Sequence, residues 1–422
     1  MRMTKRARGR SPAWLIVSAL LACGAGTGAC AAVLGFEHLS EGEPSTPEAG
    51  TPDTAPLAES GAVDSSTPET GPTCTALGIP DRPDASSVDA AGDLAAIHMA
   101  VKLLDFGIDK TAAAPGFNLD HACSPTVATS TCATKIDEAT FDKYGKDRNA
   151  QGIDNAGFGL LGYLSYLGSA FAPVSINQRL ADGEYGIVLR LANWNGTPDD
   201  DDVIVEVFPA IGAWNHPDGG ALTPGAKPTF TADDQWMRDR RFQNVVDASR
   251  IKSATAWVTG GQLVASFQSV TLPISVPDDP KPLDVIVQEG YLSGALVADG
   301  ASWRVTNAVI GGRWRTNDML GQVRTIYIKD TAGLKNVVLC DPNLPFDVYG
   351  AVKKEVCDGR DIRSASVDDG KSLPCDSFSV GIRVETYAVG VAGTFADQPA
   401  IAARCQKAGS IPEGDDCAPA FP

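Results

Sequence analysis

Histidine is scarce in this chain of 422 residues: there are four, at positions 38, 98, 121 and 216. Histidine is the commonest general base and metal ligand near neutral pH, so its scarcity narrows the chemistry on offer. His121 stands beside Asp120 and Cys123, but no Cys-x-x-Cys pair completes a zinc set around it. The sequence also lacks a Gly-x-Ser-x-Gly elbow, a His-Glu-x-x-His helix and a phosphate-cradling glycine loop. Cations are short as well, with 35 Lys and Arg against 52 Asp and Glu and a formal net charge of −17. Such a chain is repelled by nucleic acid and by bare anionic lipid, which excludes a nucleic-acid partner. Long apolar runs are missing too. The clearest, Ala13 to Ala22, is about half the length of a spanning helix.

That short run is nonetheless informative, because five basic residues precede it (Arg2, Lys5, Arg6, Arg8, Arg10) and small residues follow. Together these are the three parts of an export signal over residues 1–22. Leu20-Leu21-Ala22-Cys23 resembles the lipobox of bacterial lipoproteins. The resemblance implies cleavage before Cys23, lipidation of that cysteine and a membrane-anchored place in the cell envelope. Thr27-Gly28-Ala29-Cys30 offers a second site, with Thr where the pattern prefers an aliphatic residue. Cleavage there leaves an even set of eight cysteines: Cys74, Cys123, Cys132, Cys340, Cys357, Cys375, Cys405 and Cys417. Export implies an oxidising compartment, so these eight are disulfide candidates. The nine-residue spacing of Cys123 and Cys132 suggests a small closed loop.

Residues 23–73 read as a disordered acidic stalk. Glu37 to Thr73 holds eight acids, six prolines and no Lys or Arg, too little apolar surface to offset the entropy of ordering. Residues 74–422 read as one head. Its 43 glycines across the chain and low aromatic content fit a turn-rich β protein. Ile97 to Leu103, Gln262 to Ser275, Leu283 to Gln288, Tyr291 to Val297, Trp303 to Ile310 and Phe378 to Tyr387 carry strand patterns. Gly260-Gly261 and Asp299-Gly300 signal hairpin turns. The expected fold is mainly β, a sandwich-like (jelly-roll or similar) head with a few short helices. An acidic stalk before a cysteine-bearing β-rich head is a layout similar to that of bacterial lipoproteins, and it implies no catalytic residue.

The densest local chemistry lies between Lys146 and Ala210. Asp154 is placed to cap a helix carrying Phe158, Leu160, Leu161, Leu164 and Leu167. Ile187–Ala192 and Val203–Phe208 then read as a hairpin whose connection holds Asn195 and the run Asp199, Asp200, Asp201, Asp202. Oxygen ligands converging on such a tip suit calcium, with Asn193, Asp147, Asn149 and Asp154 as further donors. A solvated acidic turn is the alternative. Pro209 to Asp239 reads as a long loop carrying Trp214, His216 and Trp236, and with Trp194 these indoles suit a stacking platform for carbohydrate or peptide. The leading expectation is a binding or structural module of the envelope, meeting carbohydrate or another envelope protein. A hydrolase using two carboxylates about 5–10 Å apart is the alternative.

Overall fold

The computed structural model describes residues 78–84, 92–108, 114–134, 136–143, 152–167, 172–215, 223–224, 227–245, 248–274, 279, 281–328, 337–344, 347–390, 393–399, 404–407 and 409–417. The expected signal at 1–22, the lipidation candidates Cys23 and Cys30, the stalk at 23–73 and Cys74 lie outside these. So do Asp147, Asn149 and His216.

The head is mainly β, as its alternating segments predict. In chain order the strands are β1 (Ile97–Asp105), β2 (Gly186–Ala192), β3 (Ile204–Asn215), β4 (Thr223–Pro224), β5 (Asp234–Asp239), β6 (Ile251–Lys252) and β7 (Thr255–Thr259). There follow β8 (Gln262–Ile274), β9 (Leu283–Asp299), β10 (Ser302–Arg315), β11 (Tyr327–Ile328), β12 (Val337–Val338), β13 (Ser377–Val389) and β14 (Thr394–Ala396). One sheet runs β14-β5-β3-β2-β1-β13-β10-β9-β8-β7, with β4 and β6 also paired to β3, and β11 and β12 form a separate pair. The β14–β5 pair is parallel; the other named pairs are antiparallel.

The sheet curls until its halves face each other. β6 pairs with β3 through Glu206–Lys252 and Val207–Ile251, and the chain runs on almost directly into β7 at the far edge. Ser253 donates its N–H to Val205 O, and Ala254 donates to Ser266 O. The sandwich-like layers are therefore two halves of a single curled sheet. Between them lie Ile97, Met99 and Val101 of β1, Leu189 and Leu191 of β2, and Leu263, Ala265 and Phe267 of β8, all buried. Each side chain of this size contributes about 1.5–3 kcal/mol on burial. A smaller cluster covers the outer face of β1, β2 and β3, where Ala100, Val188 and Phe208 pack with Trp236 and Tyr387.

Helices α1 (Glu138–Lys143), α2 (Gly157–Leu167), α3 (Pro173–Ala181), α4 (Thr316–Val323) and α5 (Val348–Asp358) complete the described elements. α2 rests on β13, α3 on β1, and α4 on β9 and β10, while α5 packs against α2 and α4. Segment 115–120 lies flat on the sheet because glycine leaves room: a Cβ on Gly381 would collide with the Pro115 carbonyl.

Several local expectations are corrected. α2 opens at Gly157, so the residue before it is Ala156 and not Asp154; Asp154 Oδ2 accepts from Leu119 N at 2.7 Å, and the Ala156 N–H donates to Ser379 Oγ. Leu283 to Val297 is one strand with a bulge at Glu289, whose φ is +44°, and not two strands. Pro209–Asp239 is not a continuous loop, since β3 runs through Pro209 to Asn215 and β5 opens at Asp234. Pro209 is tolerated because it falls between the stretch of β3 that pairs with β6 and the stretch that pairs with β5. Cys132 bonds to Cys375, not Cys123, and Cys123 is in a separate disulfide. Cys340–Cys405 and Cys357–Cys417 fix the C-terminal segment.

Candidate functional site

The acidic tip between β2 and β3 is a fastened turn. Asp200 is buried, with Oδ2 accepting from Asn195 N at 2.7 Å and Oδ1 from Asp202 N at 3.1 Å. Its own backbone exchanges hydrogen bonds with Val258 of β7. Asp199 Oδ1 accepts from Gly260 N at 2.8 Å, and Asn195 Oδ1 accepts from Thr197 N and Oγ1. Asp201 lies 3.7 Å from the Arg82 guanidinium. The Asn195, Asp199 and Asp200 oxygens thus point to separate donors. Among the described residues no three His, Cys, Asp or Glu side chains are grouped to hold a metal ion.

The tryptophans do not form a shared platform either. Trp194 is buried, donates Nε1–H to Thr197 O at 3.0 Å and meets Trp303 edge-on at 4.8 Å. Trp236 is buried under Gly186, where a Cβ would strike its ring. Trp214 sits near the far end of β3, half-buried between β4 and β5. With Ile204 and Trp214 ten residues apart along one strand, roughly 30 Å separates the two ends.

A different concavity emerges at the end of the β2–β3 hairpin away from the tip. This cleft, about 210 Å³, is bounded by Arg179 and Glu184 below β2, Ala210 and Ile211 on β3, Asp239 at the end of β5, Asp279 and Gln398. Its walls are held by paired charges. Asp239 accepts from Arg241 N, from Arg241 Nε at 2.9 Å and from Gln398 Nε2 at 2.8 Å. Arg241 reaches on to Asp284 at 2.9 Å, and these bonds outweigh burial and raise the Arg241 pKa above its ordinary value. Asp279 takes both ends of the Arg404 guanidinium, at 2.7 and 2.8 Å, together with the Lys281 and Tyr327 N–H groups. Burial pulls the Lys281 ammonium below its usual value, Arg404 and Arg241 add to this, and Asp284 and Asp279 oppose it. Glu184 pairs with Arg179. Acids and bases balance one for one.

A second polar assembly is buried under segment 115–120. Arg313 of β10 donates to Asp369 Oδ1 and Oδ2 at 2.9 and 2.6 Å and to the carbonyls of Leu119 and Arg363 at 2.7 and 2.8 Å. Glu289 lies 3.5 Å from its Nε. Nearby, Asp120 accepts from Thr131 Oγ1 at 2.7 Å. Asp361 accepts from Ser379 N at 2.8 Å and bonds to the Ser379 hydroxyl. Burial pushes the Asp361 carboxyl up to about 7; the Asp120 charge adds to this and the Ser379 bonds oppose it. Its bonds tie segment 115–120, β10 and the stretch from Arg363 to Asp369 to one another.

No protein-family model, curated protein or solved structure matches this chain. The cleft must therefore be judged on its own geometry. Sequence reasoning missed it because its walls come from α3, β3, β5 and segments on either side of position 280 and near 398. The one available signal was the placement of Asp239-Arg240-Arg241 after a strand, a charge cluster where a turn alone needs none.

Proposed function

We propose that the chain is an exported module tethered to the cell envelope by a lipidated cysteine, Cys23 or Cys30, and that its head binds a polar, uncharged envelope saccharide in the Asp239–Gln398 cleft. The observation that carries the binding reading is the cleft wall itself. Its charges are already paired, so they are rigid and offer hydrogen bonds without a net field. Hydroxyl-rich ligands suit such a surface, while Pro273, Pro282 and Pro399 on the same wall offer flat apolar faces for C–H groups. The disulfides support a location outside the reducing cytoplasm.

A second reading rests on the same cleft. Glu184, Asp239 and Asp279 put three carboxylates on its wall, which is the equipment of a hydrolase. The donors on Asp239 and Asp279 suit holding a ligand better than moving protons.

Isothermal titration with soluble fragments of envelope polysaccharide tests both readings. Saturable binding by the native chain, weakened about tenfold in Gln398→Ala through loss of one wall donor, is the expected result. Release of shortened products from the same mixture selects the hydrolase. Absence of binding to every fragment, or binding that an Ala210→Trp filling variant leaves intact, overturns the cleft as the site.

A further inference from the structure

A separate cavity lies between α2, α4 and one end of the curled sheet. Its floor passes from Phe106, just beyond β1, to Ile382 of β13, Trp314 of β10, Val285 of β9 and Ile274 of β8. These belong to five neighbouring strands, so the floor runs for about 19 Å at roughly 4.8 Å per strand. Leu160 and Leu161 of α2, with Met319 and Val323 of α4, form the roof. The free volume is only about 20 Å³. A cavity so long and so thin is a slot, and it fits an unbranched chain better than a ring.

The side chains of the slot do not suit water, which needs about two to four polar partners when buried. Asn155, the one amide on the wall, spends its side chain on Pro115 O, Gly381 O and Gly381 N. That leaves Trp314, which is 4% exposed and whose Nε1–H has no hydrogen-bond partner among the described residues. Leaving a buried donor unmet is costly, so the indole calls for an acceptor. The roof above it is soft. Three of the eleven residues of α2 are glycine, Gly157, Gly159 and Gly162, and glycine inside a helix is less favourable than alanine. At Gly162 a Cβ would meet nothing within 4 Å, so packing does not demand glycine there.

We propose that the slot takes the acyl chain of a neutral ester, with α2 as its lid and the ester carbonyl accepting the Trp314 Nε1–H. The apolar side chains of floor and roof cover the chain. A free carboxylate fits badly, because its charge would be buried among these side chains with a single donor. The slot and the Asp239–Gln398 cleft share no lining residue, so the inference stands whether or not the cleft binds saccharide.

Methyl octanoate is the probe and octanoate its charged counterpart, both titrated into the full, oxidised chain. Saturation-transfer NMR reads binding, and the indole N–H spectrum reads the site. Methyl octanoate is expected to bind saturably and to shift the Trp314 indole signal, with octanoate about tenfold weaker. Trp314→Phe should weaken the ester about fivefold through loss of one hydrogen bond. The indole shift needs no variant and carries the test if Trp314→Phe does not fold. Gly162→Ala stiffens α2 without touching the wall and should slow ester uptake about fivefold in stopped-flow tryptophan fluorescence. No saturable ester binding, a Trp314 signal unmoved at saturation, or octanoate binding as tightly as the ester overturns the proposal. Uptake at the native rate in Gly162→Ala overturns the lid.

Discussion

The acidic tip holds four aspartates and the Arg313 assembly three, yet they treat them in opposite ways. At the tip the acids are consecutive in sequence and part company in space: Asp199 turns to Gly260, Asp200 to Asn195 and Asp202, and Asp201 to Arg82. Around Arg313 the acids are far apart in sequence and meet in space, with Asp120, Asp361 and Asp369 brought in from different segments. Charge density along a chain is therefore a poor guide to charge density in a fold. Neighbouring side chains on an irregular turn diverge, and backbone N–H groups are the nearest donors to satisfy them.

The contrast breaks most sharply if Arg313 is removed. Arg313→Met leaves the half-buried Asp369 without its cation, and removing one partner of a buried pair typically costs about 3–5 kcal/mol. Urea unfolding should place the variant within that range, because two carbonyls lose the same donor while Asp369 and Glu289 keep partial access to water. A loss below about 1 kcal/mol would show that the assembly relaxes or admits water.

Asp361 gives the next effect, and it depends on pH. Its folded value of about 7 lies above its ordinary 3.8. In acid both folded and unfolded states hold the proton, and nothing is lost. As pH rises from about 4 to about 7 the unfolded chain releases its proton first, so stability falls, and above 7 the loss is complete. At 1.36 kcal/mol per unit the shift amounts to about 4 kcal/mol at most. Asp361→Asn, which keeps the shape of the neutral acid, should flatten this part of the stability–pH curve. Parallel curves for the two proteins between pH 4 and 8 would show that Asp361 does not titrate there.

The smallest effect belongs to the tip. Asp200→Asn should cost about 1–2 kcal/mol through its buried contacts, whereas Asp201→Asn should change stability by less than about 0.5 kcal/mol. Melting in calcium and in EDTA should coincide. A calcium-dependent rise in Tm that Asp200→Asn abolishes would turn the fastened turn back into a metal site.

These differences track what was legible in the sequence. The hairpin of β2 and β3 was, because alternation from Ile187 to Ala192 and the β-branched run after Val203 act locally. So were β8, most of β10 and β13, although β13 is buried on both faces and its sequence alternation does not reappear as alternating exposure. Disulfide pairing was not, since Cys132 and Cys375 lie 243 positions apart and only the folded sheet brings them within reach. The Arg313 assembly left one trace: a charged residue between Gly312 and Trp314 in a strand otherwise built for burial. Paired glycines inside a strand mark a place of close approach, and here the Phe117 ring of segment 115–120 presses on Gly311 while the β9 backbone at Gln288 and Gly290 crowds Gly312. Neither pocket had a local signature, because each is a property of surfaces that meet only after the sheet has curled.

The described N-terminal segment meets the head at the tip: Trp257 donates to Pro80 O, Arg82 reaches Asp201, and Leu94 N donates to Trp194 O just before β1. The Asp239–Gln398 cleft lies beyond Ala210, six residues and about 20 Å along β3 from Ile204. Residues 78–94 therefore brace β7, the tip turn and the start of β1 against one another, while the cleft at the other end of β3 owes nothing to them.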